Sequence, residues 1–118
     1  MGSKILNRYI DDEIAAAERL SAEGDTVSAF HHLERAHILG QGSTYQHMRV
    51  HVLMLKHGIR ENDRREITGQ VLRIAGAATK TPLGLVPTGN TGGANVNPLK
   101  RMVIPPDLRV ILKTAEKR

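Results

Sequence analysis

No proline occurs before position 82, and all five prolines lie between Pro82 and Pro106. Proline lacks the amide donor a helix interior needs, and its ring clashes with the preceding turn. Its exclusion leaves roughly the first two-thirds of the chain free to be helical, and apolar residues there recur at the helical period. The spacing predicts a helix over 6–22 with Leu6, Ile10, Ile14, Ala17 and Leu20 inward, stopped by Gly24. A second, over 26–39, is capped by Asp25 or Thr26 and striped by Val27, Phe30, Leu33, His37 and Ile38. A third, over 44–57, carries Tyr45, Met48, Val52 and Leu55 and ends at Gly58. A fourth, over 63–79, is capped by Asn62 or Asp63 and turns Ile67, Val71, Ile74 and Ala78 inward.

A Gly/Pro-rich segment, 80–106, follows, and Pro106-Asp107 opens a short helix over 106–114. Short links make successive helices antiparallel neighbours. The expected fold is all-α: two antiparallel helical hairpins forming a helical core over 5–79 of a single domain, 1–118, wrapped by the irregular C-terminal segment. The stretch from Ala22 to Ala36 is similar to a tetratricopeptide helix–turn–helix, although no second copy stands at an offset of about 34 residues.

The 118 residues include no cysteine, which excludes disulfides, thiolate chemistry and iron–sulfur clusters. One Phe, two Tyr and no Trp leave an aliphatic core. No apolar run approaches the roughly 18–20 residues that cross a bilayer, and Met1-Gly2-Ser3-Lys4 opens no export signal. The expectation is a cytoplasmic protein without a membrane partner. Six histidines stand out from this composition.

On a helical wheel, Phe30, Leu33, Glu34, His37 and Gln41 fall within about 100° of one another, whereas His31 and His32 point elsewhere. On the third helix His47 and His51 share a face bordering the apolar stripe, and His57 sits at the end, where an imidazolium suits the helix C-terminus. In an antiparallel hairpin turning near residue 42, His37 falls opposite His47, and Glu34 opposite His51. Each same-helix pair is three or four residues apart, so neighbours converge. His37, His47, His51 and Glu34 thus form two adjacent rungs. Three imidazoles with a carboxylate are a ligand set for a divalent transition metal such as zinc, nickel, copper or iron. A di-iron carboxylate site needs a second Glu-x-x-His motif, and Glu34-Arg35-Ala36-His37 is the sole one in the chain. One ion is therefore the most this pattern accommodates. The competing view of each histidine is a hydrogen-bonded core or half-exposed residue, and Glu34 is equally suited to pairing with an arginine.

The string His32-Leu33-Glu34-Arg35-Ala36-His37-Ile38-Leu39-x-Gln41, then His47 and His51, Asp63-Arg64-Arg65-Glu66, Gly69-Gln70 and Arg73, Pro87-x-Gly89-Asn90-Thr91-Gly92-Gly93 and Pro106-Asp107-Leu108 resembles a family of small bacterial proteins known as a domain of unknown function. The resemblance covers about residues 25–110. It implies that His37, His47 and His51 are the family's own histidines and carries no activity with it. The family often has a Trp- and Pro-rich segment before the second of these histidines, where this chain has Gly42-Ser43-Thr44-Tyr45.

Gly89-Asn90-Thr91-Gly92-Gly93 matches neither a P-loop nor a dinucleotide fingerprint. Its glycines and asparagine supply positive-φ turns that let the segment pack back over the helices. A backbone nest for an anion is the alternative. Folded over the hairpin, the segment brings Asn90 and Thr91, with Gln41, to the border of the histidine site. The net charge of +5 and pI near 10.0 raise nucleic acid as a partner. No groove-reading motif or aromatic platform accompanies the charge, which argues against it. Three function classes follow: a metal-binding protein using His37, His47 and His51 with Glu34; a metal-free helical interaction module that pairs with itself or a protein partner; and a three-histidine metalloenzyme of hydrolase type with a metal-bound water.

Overall fold

A computed structural model describes residues 2–84, 87–97 and 100–116. Among the described residues five α-helices follow in order: α1 (Gly2–Ala22), α2 (Thr26–Gly40), α3 (Thr44–Arg60), α4 (Arg64–Lys80) and α5 (Pro106–Glu116). A single 3-10 turn, Thr81–Leu83, continues α4 into the Gly/Pro-rich segment. No strand occurs among the described residues. The helix ends follow from local chemistry. Asp25 Oδ1 accepts from Ser28 N at 3.1 Å, and Asp63 Oδ1 accepts from Glu66 N at 3.0 Å, so these residues, rather than Thr26 and Asn62, are the caps. Ser43 caps α3 through its Oγ and Gln46 N.

α1 packs on α2 and α3 on α4, giving the two expected hairpins, and α2 lies against α3. α5 returns to cover α1 and touches α2. The aliphatic core gathers Ile10, Ile14, Leu33, Leu39, Val50, Met54 and Leu108. On its surface Glu13 of α1 accepts from Arg35 Nε at 3.0 and 3.1 Å and meets His32 Nδ1 at 2.7 Å. Arg35 also reaches Asp107 at the start of α5. One guanidinium therefore joins three helices.

Two expected helical faces are corrected. On α3 Tyr45 is 71% exposed and Val52 also faces out, while Gln46, His47, Val50, His51, Met54 and His57 are buried. On α4 Val71 and Ala78 are exposed, and Glu66, Gln70 and Ala77 are buried. Val27, placed inward on α2, is 82% exposed. Hydrophobicity ranks side chains against water, but a polar side chain with enough partners can be buried at little net cost. Those partners come from other elements. Gly58 is likewise no helix end: α3 runs past it to Arg60, and a Cβ there would stand 3.3 Å from the Glu66 side chain. Its role is the close approach of α3 to α4.

Leu108 is the fully buried side chain by which α5 enters the core. Leu108→Ala is expected to lower stability by about 2–4 kcal/mol, read from urea unfolding followed by helical circular dichroism.

Candidate metal centre

α2 and α3 bring three imidazoles to one point. His37 Nε2 lies 3.1 Å from His47 Nε2 and 3.1 Å from His51 Nε2. All three residues are buried, with ring centroids 4.6–4.8 Å apart. His37 faces both of the others rather than His47 alone, so the arrangement is a triangle and not two rungs. Glu34 stands outside it. Its carboxylate lies 3.6 Å from His31 Nδ1, and burial raises its pKa, an effect opposed by His31. Among the described residues the converging His, Cys, Asp and Glu ligands are His37, His47 and His51.

The other ring nitrogen of each histidine has its own partner. His37 Nδ1 lies 2.7 Å from the Asn90 carbonyl, which can only accept, so Nδ1 carries the proton. His51 Nδ1 lies 2.6 Å from Gln70 Oε1. The Gln70 amide is oriented by its far end, where Nε2 donates to the Glu66 carboxylate and to Gly92 O at 2.9 Å, both acceptors. Oε1 therefore faces His51, which must donate. His47 Nδ1 meets the Thr81 hydroxyl at 2.7 Å. With Nδ1 occupied in His37 and His51, their two Nε2 lone pairs face one another with no hydrogen between them. Neutral rings so placed repel unless a cation sits at the point of convergence.

Burial keeps the rings neutral. It lowers the His37 pKa well below the ordinary imidazole value, helped by His51 and His47 and opposed by the Asn90 carbonyl. Burial alone brings His47 to about 4. His51 also falls to about 4, chiefly through burial, with Gln70 opposing and His47 and Arg73 assisting.

The Gly-rich segment closes over the triad. Asn90 is buried and staples its own loop, with Nδ2 donating to Asn97 O at 2.9 Å and Lys100 O at 2.7 Å, and Oδ1 accepting from Gly92 N at 2.9 Å. Gly92 has φ +84°, and a Cβ there would fall 2.4 Å from the His37 ring. Gly89 has φ +80°, and its Cβ would strike Met102 O. The turn-forming role expected of these glycines is therefore the observed one, with a contact that tolerates no side chain. Asn90 meets the site through its carbonyl. Gln41 lies one step out, donating from Nε2 to Pro87 O at 3.1 Å, and Thr91 is absent from the residues lining the triad's cavity.

The remaining histidines have structural settings. His32 bonds Glu13 and His31 faces Glu34. His57 is buried against Phe30 with ring centroids 5.0 Å apart. Burial lowers its pKa, so the imidazolium expected at the end of α3 is not favoured there.

The family model described as "Protein of unknown function (DUF3703)" matches residues 4–112. The chain belongs to this family. No curated protein and no solved structure matched it. Of the motif segments in the sequence, α2 with His37, α3 with His47 and His51, α4 with Glu66 and Gln70, and the Gly89–Gly93 loop build the centre, whereas Pro106-Asp107-Leu108 opens α5. Gln70, Glu66 and Thr81 join the site only in the folded chain. The signal for Glu66 and Gln70 is their i, i+4 spacing on one face of α4, beside the histidine pair of α3, whereas Thr81 lies one residue beyond α4.

Gly92→Ala is expected to cost more than about 1 kcal/mol from the left-handed backbone alone and to shift the His37 ring resonances. Gly76→Ala, whose Cβ meets nothing within 4 Å, should instead raise stability by roughly 0.5–1 kcal/mol. Urea midpoints and ring proton spectra read both.

The triad also dictates a pH dependence for metal-free protein. The native pKa of each ring lies below its unfolded value near 6.5, so the unfolded chain binds more protons. Stability is complete above about pH 6.5 and is lost as pH falls toward about 4, by about 1.4 kcal/mol per pH unit for each proton taken up on unfolding. Urea midpoints in chelator should fall steadily across that window, and a flat profile would contradict the assignment.

Proposed function

We propose that this protein binds one divalent transition metal ion through the Nε2 atoms of His37, His47 and His51. The observation that carries the reading is the pair of 3.1 Å Nε2–Nε2 contacts between rings whose Nδ1 positions are otherwise engaged. Two nitrogens each about 2.0–2.1 Å from one ion stand about 3.1–3.4 Å apart at angles near tetrahedral. The spacing therefore suits a shared ion. Neutral, buried imidazole is a donor preferred by zinc, nickel, copper and iron. The carbonyl, amide and hydroxyl behind the rings are the outer partners that fix ring orientation in histidine metal sites. Glu66, accepting from Gln70 Nε2 and from Ala94 N at 3.1 Å, supplies one negative charge a residue further out. Glu34, placed beside His31, has no part in this ligand set.

Protein stripped with chelator is expected to take up one equivalent of zinc, cobalt or nickel per chain, by elemental analysis after desalting, with a rise in thermal midpoint. His51→Ala should abolish retention through desalting. Gln70→Ala should weaken affinity by about 10- to 100-fold. Glu34→Gln should leave uptake at one equivalent. A chain that takes up no metal, or whose uptake survives His51→Ala, overturns the reading and leaves the metal-free helical module as the alternative.

A further inference from the structure

The three histidines line one side of a cavity of about 350 Å³. α4 and the loop also line it, through Leu72, Arg73, Ala77, Lys80 and Pro87 among others. Among the described residues lining it, the formally charged side chains are both cationic, Arg73 and Lys80, and no carboxylate is present. Arg73 donates from Nη1 to Gly69 O at 3.1 Å and from Nη2 to Val96 O at 2.7 Å, while its Nε is buried without a hydrogen-bond partner.

This arrangement has a charge problem when a metal ion is bound. Three neutral imidazoles leave the full positive charge of the ion uncompensated at the cavity wall, and two further cationic residues, Arg73 and Lys80, line the same space. Glu66 offsets one charge from behind Gln70. The rest is best answered from inside the cavity, by an anion that occupies the metal's open side and meets Arg73 and Lys80. Leu72, Ala77 and Pro87 make the remaining wall apolar. A water is about 30 Å³, so the space holds a ligand with a body as well as a head.

We infer that the cavity binds a small monocarboxylate, its carboxylate on the open side of the metal and within reach of Arg73 and Lys80, its short hydrocarbon body against Leu72, Ala77 and Pro87. The inference rests on the metal reading above and adds the class of ligand which that site takes.

Cobalt(II) serves as the probe ion, because its visible bands report a change in ligation. Cobalt-saturated protein is titrated with hexanoate, acetate and hexylammonium. Hexanoate should shift the bands saturably, at concentrations at least tenfold below those acetate needs, about the worth of two buried methylenes. Hexylammonium should do nothing. At cobalt saturation, Arg73→Met and Lys80→Glu should each raise the hexanoate concentration required by about tenfold. Lys80 is exposed, so its variant keeps the test sharp if loss of the Arg73 bonds unfolds the loop. Bands that ignore hexanoate in the tens of millimolar, or respond equally to acetate, or stay unaffected by both substitutions, overturn the carboxylate inference while leaving the metal site standing. Failure to bind cobalt overturns both.

Discussion

The hydrogen bond from His37 Nδ1 to the Asn90 carbonyl is the contact on which the rest of the centre depends. It does three things together. It fixes the tautomer of His37, so that Nε2 presents a lone pair to His47 and His51. It brings the Gly-rich segment down on the helices, where Gly92 covers the ring closely enough to exclude any side chain. By bringing the segment down it also removes His37 from water, and that desolvation keeps the ring neutral although the carbonyl itself favours the protonated form. Asn90 can serve because its own side chain is spent inside the loop, on Asn97, Lys100 and Gly92, which makes the loop a rigid acceptor rather than a tether.

The molecule in consequence has two interiors. One is aliphatic, where α1, α2 and α5 bury Ile10, Ile14, Leu33, Leu39 and Leu108. The other is polar, between α2, α3, α4 and the loop, where the three histidines, Glu66, Gln70 and Asn90 are buried in mutual hydrogen bonds. The polar interior is the more demanding, since each unmet group there costs about 1–3 kcal/mol. Its chain of partners runs from His51 through Gln70 to Glu66 and on to Ala94 N, and at its edge Arg73 Nε is left unmet. Met54 stands at the join, lining the aliphatic core while its sulfur receives Gln70 Nε2 at 3.4 Å.

Charge is also distributed by tertiary pairing. Acidic residues of the first helix answer basic residues of later ones, through Asp11 with Arg49 and Glu13 with Arg35. Arg73 is turned inward instead, its guanidinium shared between two backbone carbonyls beside the histidines. Part of a net charge of +5 is thus committed inside the molecule.

The helices, their order and their hairpin pairing were legible in the sequence, because helix formation answers to local facts: a proline-free stretch, apolar period, and acidic caps at Asp25 and Asp63. The convergence of His37, His47 and His51 was legible for the same reason, as helical spacing on two joined helices is a local property. The membership of Glu34 was not, because a wheel says which face a side chain shares and not which neighbour it meets; a nearby His31 decided that. Nor was the inward face of α3 and α4, where Val71 lies outside and Gln70 is fully buried. Only the folded chain places Asn90, Thr81 and Gln70 behind the rings, and it is the long-range acceptors Asn90 O and Gln70 Oε1 that aim the Nε2 lone pairs of His37 and His51 at one point.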